Sequence, residues 1–314
     1  MATKVHRLKV ETNDFGLLEE SADGWDQRYS QISSGLFTGS IEMTQVGSTQ
    51  IFREKWGPKI HYRGTAPAET FGIAIPFNQS GTSCWVGNKV GLNTVVIQSP
   101  SQEADMMAAE DWDALVFALP KDRARSNFAA MSGNGELPFQ SCQAVGLTPN
   151  AALQIKHAAL SYFYYSSRAP SVEFDEIGRR SEQLVMLCLW EILKAVNGGR
   201  EVTANERASK IVRKAIDLVA ANHDKVIGLV EICETLGVSL RSLHYAFQEI
   251  ANTSPAKWLR LIRLNRVHRL LSSAGPGDVQ VKRVALENGF EHLGHFGQQY
   301  RAHFGCRPVD TLRS

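Results

Sequence analysis

The feature that most constrains this 314-residue chain is a pattern that occurs twice near its C-terminal end. The second copy, Val281–Pro308, reads VKRVALENGFEHLGHFGQQYRAHFGCRP. A helix over Val281–Asn288 carries Val281, Val284 and Ala285 on one face, and Gly289 follows where a left-handed residue is needed. Phe290 plugs the turn and Glu291 stands where a polar side chain can cap the next helix. That helix keeps Phe296, Tyr300 and Phe304 on one face, and Gly305 and Pro308 end it. The first copy, Leu229–Glu249, pairs Leu229 with Val281, Ile232 with Val284, Cys233 with Ala285 and Gly237 with Gly289. Past the turn, Leu243 pairs with Phe296 and Phe247 with Tyr300. Small residues at Cys233 and Ala285 let the two helices of each unit approach closely. Both copies read as helix-turn-helix units, spanning 229–249 and 281–304.

One helix joins them. Ser254 is its N-cap and Pro255 its first residue, and it runs through Trp258, Leu259, Ile262, Val267 and Leu270 to Ser272. Gly275-Pro276-Gly277 stops it. At 1.5 Å per residue it is about 27 Å long, a spacer that could set two recognition helices roughly 34 Å apart, one duplex turn.

With these residues in place, 209–314 resembles the DNA-binding domain of the AraC/XylS family of bacterial transcription regulators. Gly237-Val238-Ser239, Leu243, Phe247, Pro255, the run LIRLNRVHRLL over Leu261–Leu271, Ala285, Gly289-Phe290, Phe296, Gly305 and Pro308 carry the resemblance. It implies a sequence-specific DNA-binding regulator, a ligand-responsive activator of a catabolic operon. Its partners would be double-stranded DNA, RNA polymerase, a small-molecule effector and a second copy of the chain. Trp258-Leu259 followed by Ile262-Arg263-Leu264-Asn265 is similar to regulators of amine and aromatic catabolic operons, including ethanolamine utilisation. Family correspondence puts base contacts on Arg241, His244 and Tyr245.

In the first recognition helix, Leu240, Leu243 and Phe247 are expected inward, turning Arg241, Ser242, Tyr245 and Gln248 outward with His244 at the border. Arg241 suits guanine, whose O6 and N7 a guanidinium can bridge for roughly 1–3 kcal/mol of discrimination. In the second unit His292, His295 and Gln298 are the base-contact candidates; Gln298 suits adenine. Gly294 and Gly297 there offer no side chain, so the first unit is expected to supply most discrimination. Phosphate candidates are Ser239, Lys257, Arg260, Arg263 and Arg301.

Charge agrees with this division. The whole chain carries only +2, but residues 209–314 hold 15 Lys and Arg against 9 Asp and Glu, leaving the rest net acidic. Five scattered cysteines without metal-ligand spacing indicate free thiols in a reducing cytoplasm. No N-terminal apolar run reads as a signal, and the most apolar stretch, Leu184–Leu193, is too short to span a bilayer.

The fold class expected is two-domain α+β. Residues 1–149 show short β-rich runs at Ser40–Val46, Gln50–Trp56, Thr70–Pro76, Cys84–Val86, Thr94–Gln98 and Ala114–Ala118, the spacing of a small antiparallel barrel or sandwich. The resemblance implies a cupin-like barrel that senses an effector. A metal-dependent cupin needs paired histidines, and this segment offers only His6 and His61, with Arg63 beside the latter, so no metal, cofactor or catalytic residue is expected. Trp56, His61, Tyr62, Arg63, Trp85 and Trp112 are candidates to line a pocket; none is assigned as an effector contact. Residues 150–200 read as two helices, Asn150–Ser166 and Glu173–Val196, the second with an apolar stripe that either packs on the barrel or forms a homodimer. Arg200–Arg207 is a polar linker. Two competing readings are a cupin-type enzyme with a DNA-binding tail and an effector-independent architectural DNA-binding protein.

Overall fold

Within Gln50–Trp56, alternation puts Phe52, Glu54 and Trp56 on one face and leaves Arg53 and Lys55 less buried on the other. Strands of this kind, buried on at least one face, dominate the first half of the chain. The computed structural model describes residues 5–133, 137, 139, 141–170, 173–199, 206–222, 225–275 and 279–312. In order, the elements are β1 (Val5–Thr12), α1 (Phe15–Ser21), β2 (Asp26–Gln31), β3 (Gly39–Val46), β4 (Thr49–Trp56), β5 (Ile60–Thr65), β6 (Thr70–Ser80), β7 (Ser83–Trp85), β8 (Asn88–Val90), β9 (Thr94–Gln98), β10 (Ala104–Ala108) and β11 (Glu110–Pro120). Then come α2 (Lys121–Ser132), β12 (Gln143–Gly146), α3 (Pro149–Ser166), α4 (Phe174–Asn197), α5 (Glu206–Ala221), α6 (Leu229–Leu236), α7 (Leu240–Ala251), α8 (Pro255–Ser272), α9 (Val281–Glu287), α10 (Leu293–Phe304) and α11 (Pro308–Thr311).

The strands form two sheets, β1-β3-β4-β11-β6-β9-β12 and β2-β5-β10-β7-β8. The expected barrel is therefore not closed. At one would-be seam the outer edge of β2 is taken by a helix: the fully buried Asn265 of α8 accepts from the Gln31 amide at 2.7 Å and donates to the Gln31 carbonyl at 2.8 Å. One asparagine thus fills the place of a neighbouring strand. Ring contacts such as Tyr29–Trp56, with centroids 5.2 Å apart, cross between the sheets.

The other face of the larger sheet carries Ile51, Ile73, Ile75, Leu115 and Phe117, covered by Ile155 of α3 and by Leu184, Leu189 and Ile192 of α4. The apolar stripe of α4 is thus buried within the chain, which is the sheet-packing alternative and leaves that stripe closed to a homodimer contact. Residues 200–205 of the expected linker lie outside the described residues, and α5 has already begun at Glu206.

In the C-terminal part, Gly237 (φ 63°) and Gly289 (φ 80°) adopt the left-handed turn conformation that both copies of the motif require. Ile232, Leu243, Phe247, Val284, Ala285, Phe296, Tyr300 and Phe304 all reach one core around Trp258, Leu261 and Val267 of α8. Ser254 caps α8, its hydroxyl accepting from the Lys257 amide. Three local expectations need correction. Leu240 is 55% exposed, because it is the first residue of α7 and lies one turn short of the core. His292, not Glu291, holds the N-cap position of α10, with no side-chain cap bond. The helix α9 stops at Glu287, where Asn288 begins the turn. Pro276 and Gly277 lie outside the described residues.

Candidate nucleic-acid interface and an aromatic cavity

On α7 the buried Leu243, Ala246 and Phe247 fix the orientation of the helix, which leaves Arg241, His244, Tyr245 and Gln248 exposed and Ser242 partly so. The Arg241 guanidinium lies 5.5 Å from the centre of the Tyr245 ring and donates to its hydroxyl at 3.4 Å. Stacking of this kind holds a planar fork extended from the helix. Ser239 is the N-cap, its hydroxyl accepting from the Ser242 amide, so it has a capping role already. On α10 the exposed face carries His292, Gly294, His295, Gln298 and Arg301, and no atom stands within 4 Å of where a Cβ would sit on Gly294 or Gly297.

Along α8 the basic row divides by what lies beside it. Lys257 and Arg260 are exposed. Arg263 is half-buried and donates to the Ile227 carbonyl at 2.6 Å, so this phosphate candidate is bound into the domain's own structure. Arg269 pairs with Glu19 at 2.7 Å and also donates to the Tyr29 carbonyl.

Arg269 belongs to a second set of contacts that seat the helical domain on β2, on β5 and beside them. His303 hydrogen-bonds the Gln31 carbonyl at 3.0 Å, and the Gln31 side chain donates back to the His303 carbonyl. Burial pushes His303 down to about 4, so it stays neutral and its Nε2–H is the donor. Lys59 donates to the Ala251 carbonyl at the C-terminus of α7, a favourable place for a cation. Arg63 bridges Glu103 and Asp217 of α5, and His61 pairs with Asp105 at 2.7 Å and lies against the Trp258 ring.

Between the sheets is a cavity with a free volume of about 50 Å³. Trp56, Tyr62, Trp85 and Trp112 from the candidate set line it, together with Trp25, Phe52 and Glu54. His61 and Arg63 do not: strand alternation turns Tyr62 inward and its two neighbours toward the helical domain. The sequence reading passed over Glu54, although Phe52, Glu54 and Trp56 stand at the two-residue step that marks one strand face. Glu54 is buried, accepts from the Tyr29 hydroxyl, and is raised to about 7 by burial. The Tyr29 amide donates in turn to Glu19, the partner of Arg269. A hydrogen-bonded line therefore runs from the cavity to α8.

Residues 232–314 match a family profile described as a helix-turn-helix domain. The chain is 34% identical over 104 residues to a probable thc operon regulatory protein of Rhodococcus erythropolis, covering 33% of this chain and 31% of that one. It is 25% identical over 233 residues to a XylDLEGF operon transcriptional activator of Pseudomonas putida, covering 70% of this chain and 66% of that one. These matches span less than two thirds of either relative. Among solved structures, the AraC-like transcriptional activator CuxR aligns at a TM-score of 0.43 and 14% identity, over 83% of this chain and 94% of that one.

Proposed function

We propose that this chain, whose C-terminal part is an AraC-type helix-turn-helix domain, is a ligand-responsive, sequence-specific regulator of transcription that activates a catabolic operon. The observation that carries the reading is the pair of helix-turn-helix units packed on one connecting helix, each with its polar face free. In this reading Arg241, His244, Tyr245 and Ser242 read bases in one major groove, and Gln298, His292 and His295 face the next. Lys257, Arg260, Arg301 and Ser239 contact phosphates. RNA polymerase and a second copy of the chain are the proposed protein partners, and the cytoplasm is the proposed compartment.

The cavity supports a binding role rather than catalysis, because among the described residues Glu54 is joined there by no Ser, Cys, Lys or His. It also favours a ligand response over a purely architectural role: β5 sends Tyr62 into the cavity and His61 and Arg63 to the helical domain. Selection of duplexes from a random pool by the full-length protein tests the reading. A recurrent sequence should emerge that Arg241→Ala blurs more than Gln298→Ala does. Recovery of no sequence above the starting pool, at low salt, would remove the proposal.

A further inference from the structure

The sensor reading leaves the chemistry of the ligand open, and the cavity wall constrains it. Among the described residues its lining contains one carboxylic acid, Glu54, and no Lys, Arg or His. Glu54 takes a hydrogen bond from Tyr29 and has no ion-pair partner among the described residues. Buried carboxylates are normally paired with a cation, because an isolated one is costly to desolvate. The two amides in the wall point the same way. Gln98 spends its NH2 on the carbonyls of Gly64 and Gln102, and its oxygen takes only a long contact, 3.5 Å, from the Tyr62 hydroxyl; Gln27 donates to the Glu19 carbonyl and makes no bond through its oxygen among the described residues. Around these acceptors stand Trp25, Trp56, Trp85, Trp112 and Tyr62, whose ring faces attract positive charge. An anion entering here would meet a carboxyl and no compensating base.

Resting on the proposal that an effector binds in the sensor, we infer that this cavity is the site of a small organic ammonium ion, held by the Glu54 carboxylate inside an aromatic box. Size narrows the class. A water molecule needs roughly 10–15 Å³ by the same measure, so about 50 Å³ accommodates on the order of three to five non-hydrogen atoms. The indole N–H groups of Trp56, Trp85 and Trp112 are buried and have no hydrogen-bond partner among the described residues, which suits a ligand that also carries a neutral acceptor such as a hydroxyl. Glu54 must ionise to bind the cation. Because burial holds its carboxyl at about 7, binding at neutral pH releases a proton and weakens about tenfold for each pH unit below that value.

The test is calorimetric titration of the full-length protein with tetramethylammonium, n-propylammonium, 3-aminopropan-1-ol, propan-1-ol and acetate, in two buffers of different ionisation enthalpy. DNA binding to a selected duplex is measured in parallel. The ammonium ions should bind with net proton release, while propan-1-ol and acetate bind at least tenfold more weakly. Glu54→Gln, which keeps an acceptor of the same shape, should weaken the ammonium ions at least tenfold and abolish the proton release. If that variant fails to fold, the buffer dependence of the unmodified protein decides the matter alone. Tight binding of acetate, equal binding of propan-1-ol, binding without proton release, or no binding by any ammonium ion overturns the cation assignment. The regulator reading survives each of those results so long as the protein still selects its duplex. It falls separately if duplex selection fails while the ammonium ions bind.

Discussion

Replacing Asn265 with leucine tests how firmly the β-rich part of the chain holds the helical domain. The two side chains are of nearly equal size, so little packing volume changes, but all three polar contacts of Asn265 disappear. The Gln31 carbonyl still accepts from His303 at 3.0 Å, and the Leu261 carbonyl remains in its own helix. The Gln31 amide has no other partner among the described residues, and its residue is fully buried. An orphaned buried donor costs about 1–3 kcal/mol, and the lost bond to the carbonyl adds about 1 kcal/mol. The expected destabilisation is therefore about 2–4 kcal/mol, read from denaturant unfolding of the full chain. Hydrogen exchange gives the local readout: the Gln31 amide should exchange at least about thirtyfold faster, since about 1.4 kcal/mol is a factor of ten. Asn265→Asp gives a second handle. It keeps an acceptor for the Gln31 amide but turns a carboxylate oxygen toward two carbonyls, so it should recover stability on acidification. A loss below about 0.5 kcal/mol with unchanged exchange at Gln31 would refute the claim that this asparagine seals the strand edge.

Three further outcomes follow from other parts of the molecule. Stability should fall between pH 5 and 7 because of Glu54: its folded value of about 7 lies above the ordinary 4.5, so its favourable contribution is complete below 4.5 and lost as pH rises through 7. The loss is about 3 kcal/mol, and Glu54→Gln should flatten that limb of the stability-pH curve. Gly289→Ala should destabilise by about 1–2 kcal/mol or more, since φ is 80° and its Cβ would stand 2.7 Å from Val226 Cγ1, whereas Gly297→Ala in open helix should stabilise by about 1 kcal/mol; thermal melts of both check the sign. Arg241→Ala should cost about 1–3 kcal/mol on the preferred duplex only, while Arg260→Ala should weaken all duplexes alike and reduce the salt slope by about one, measured by titration at several salt concentrations.

The helical third was legible because its signals are local. Glycines at Gly237 and Gly289, the cap at Ser254, and aromatics four residues apart each fix a neighbour in sequence. The sheets were legible only where strands are buried on at least one face, as in β4 or β9. Strand β2, DQRYSQ, escaped because its polar residues find partners far along the chain: Gln31 meets Asn265 and His303, and Tyr29 meets Glu54. Strand β1 escaped for a related reason, since an edge strand with several exposed positions carries little apolar alternation. For the cavity, the tryptophans drew notice by type, but no local pattern shows that Trp85 and Trp112 converge on Glu54 from different sheets. His61 and Arg63, equally conspicuous, went to the opposite side because a strand reverses direction at every residue.

Helix α8 has two tasks at once, separating the two helix-turn-helix units and docking on the edge of β2. A rigid rod with both duties cannot release one unit while retaining the other. Whatever loosens the grip at Gln31 must free or tilt the two prongs together, so occupancy of the duplex should respond to the sensor as a single step, with no half-engaged form in between.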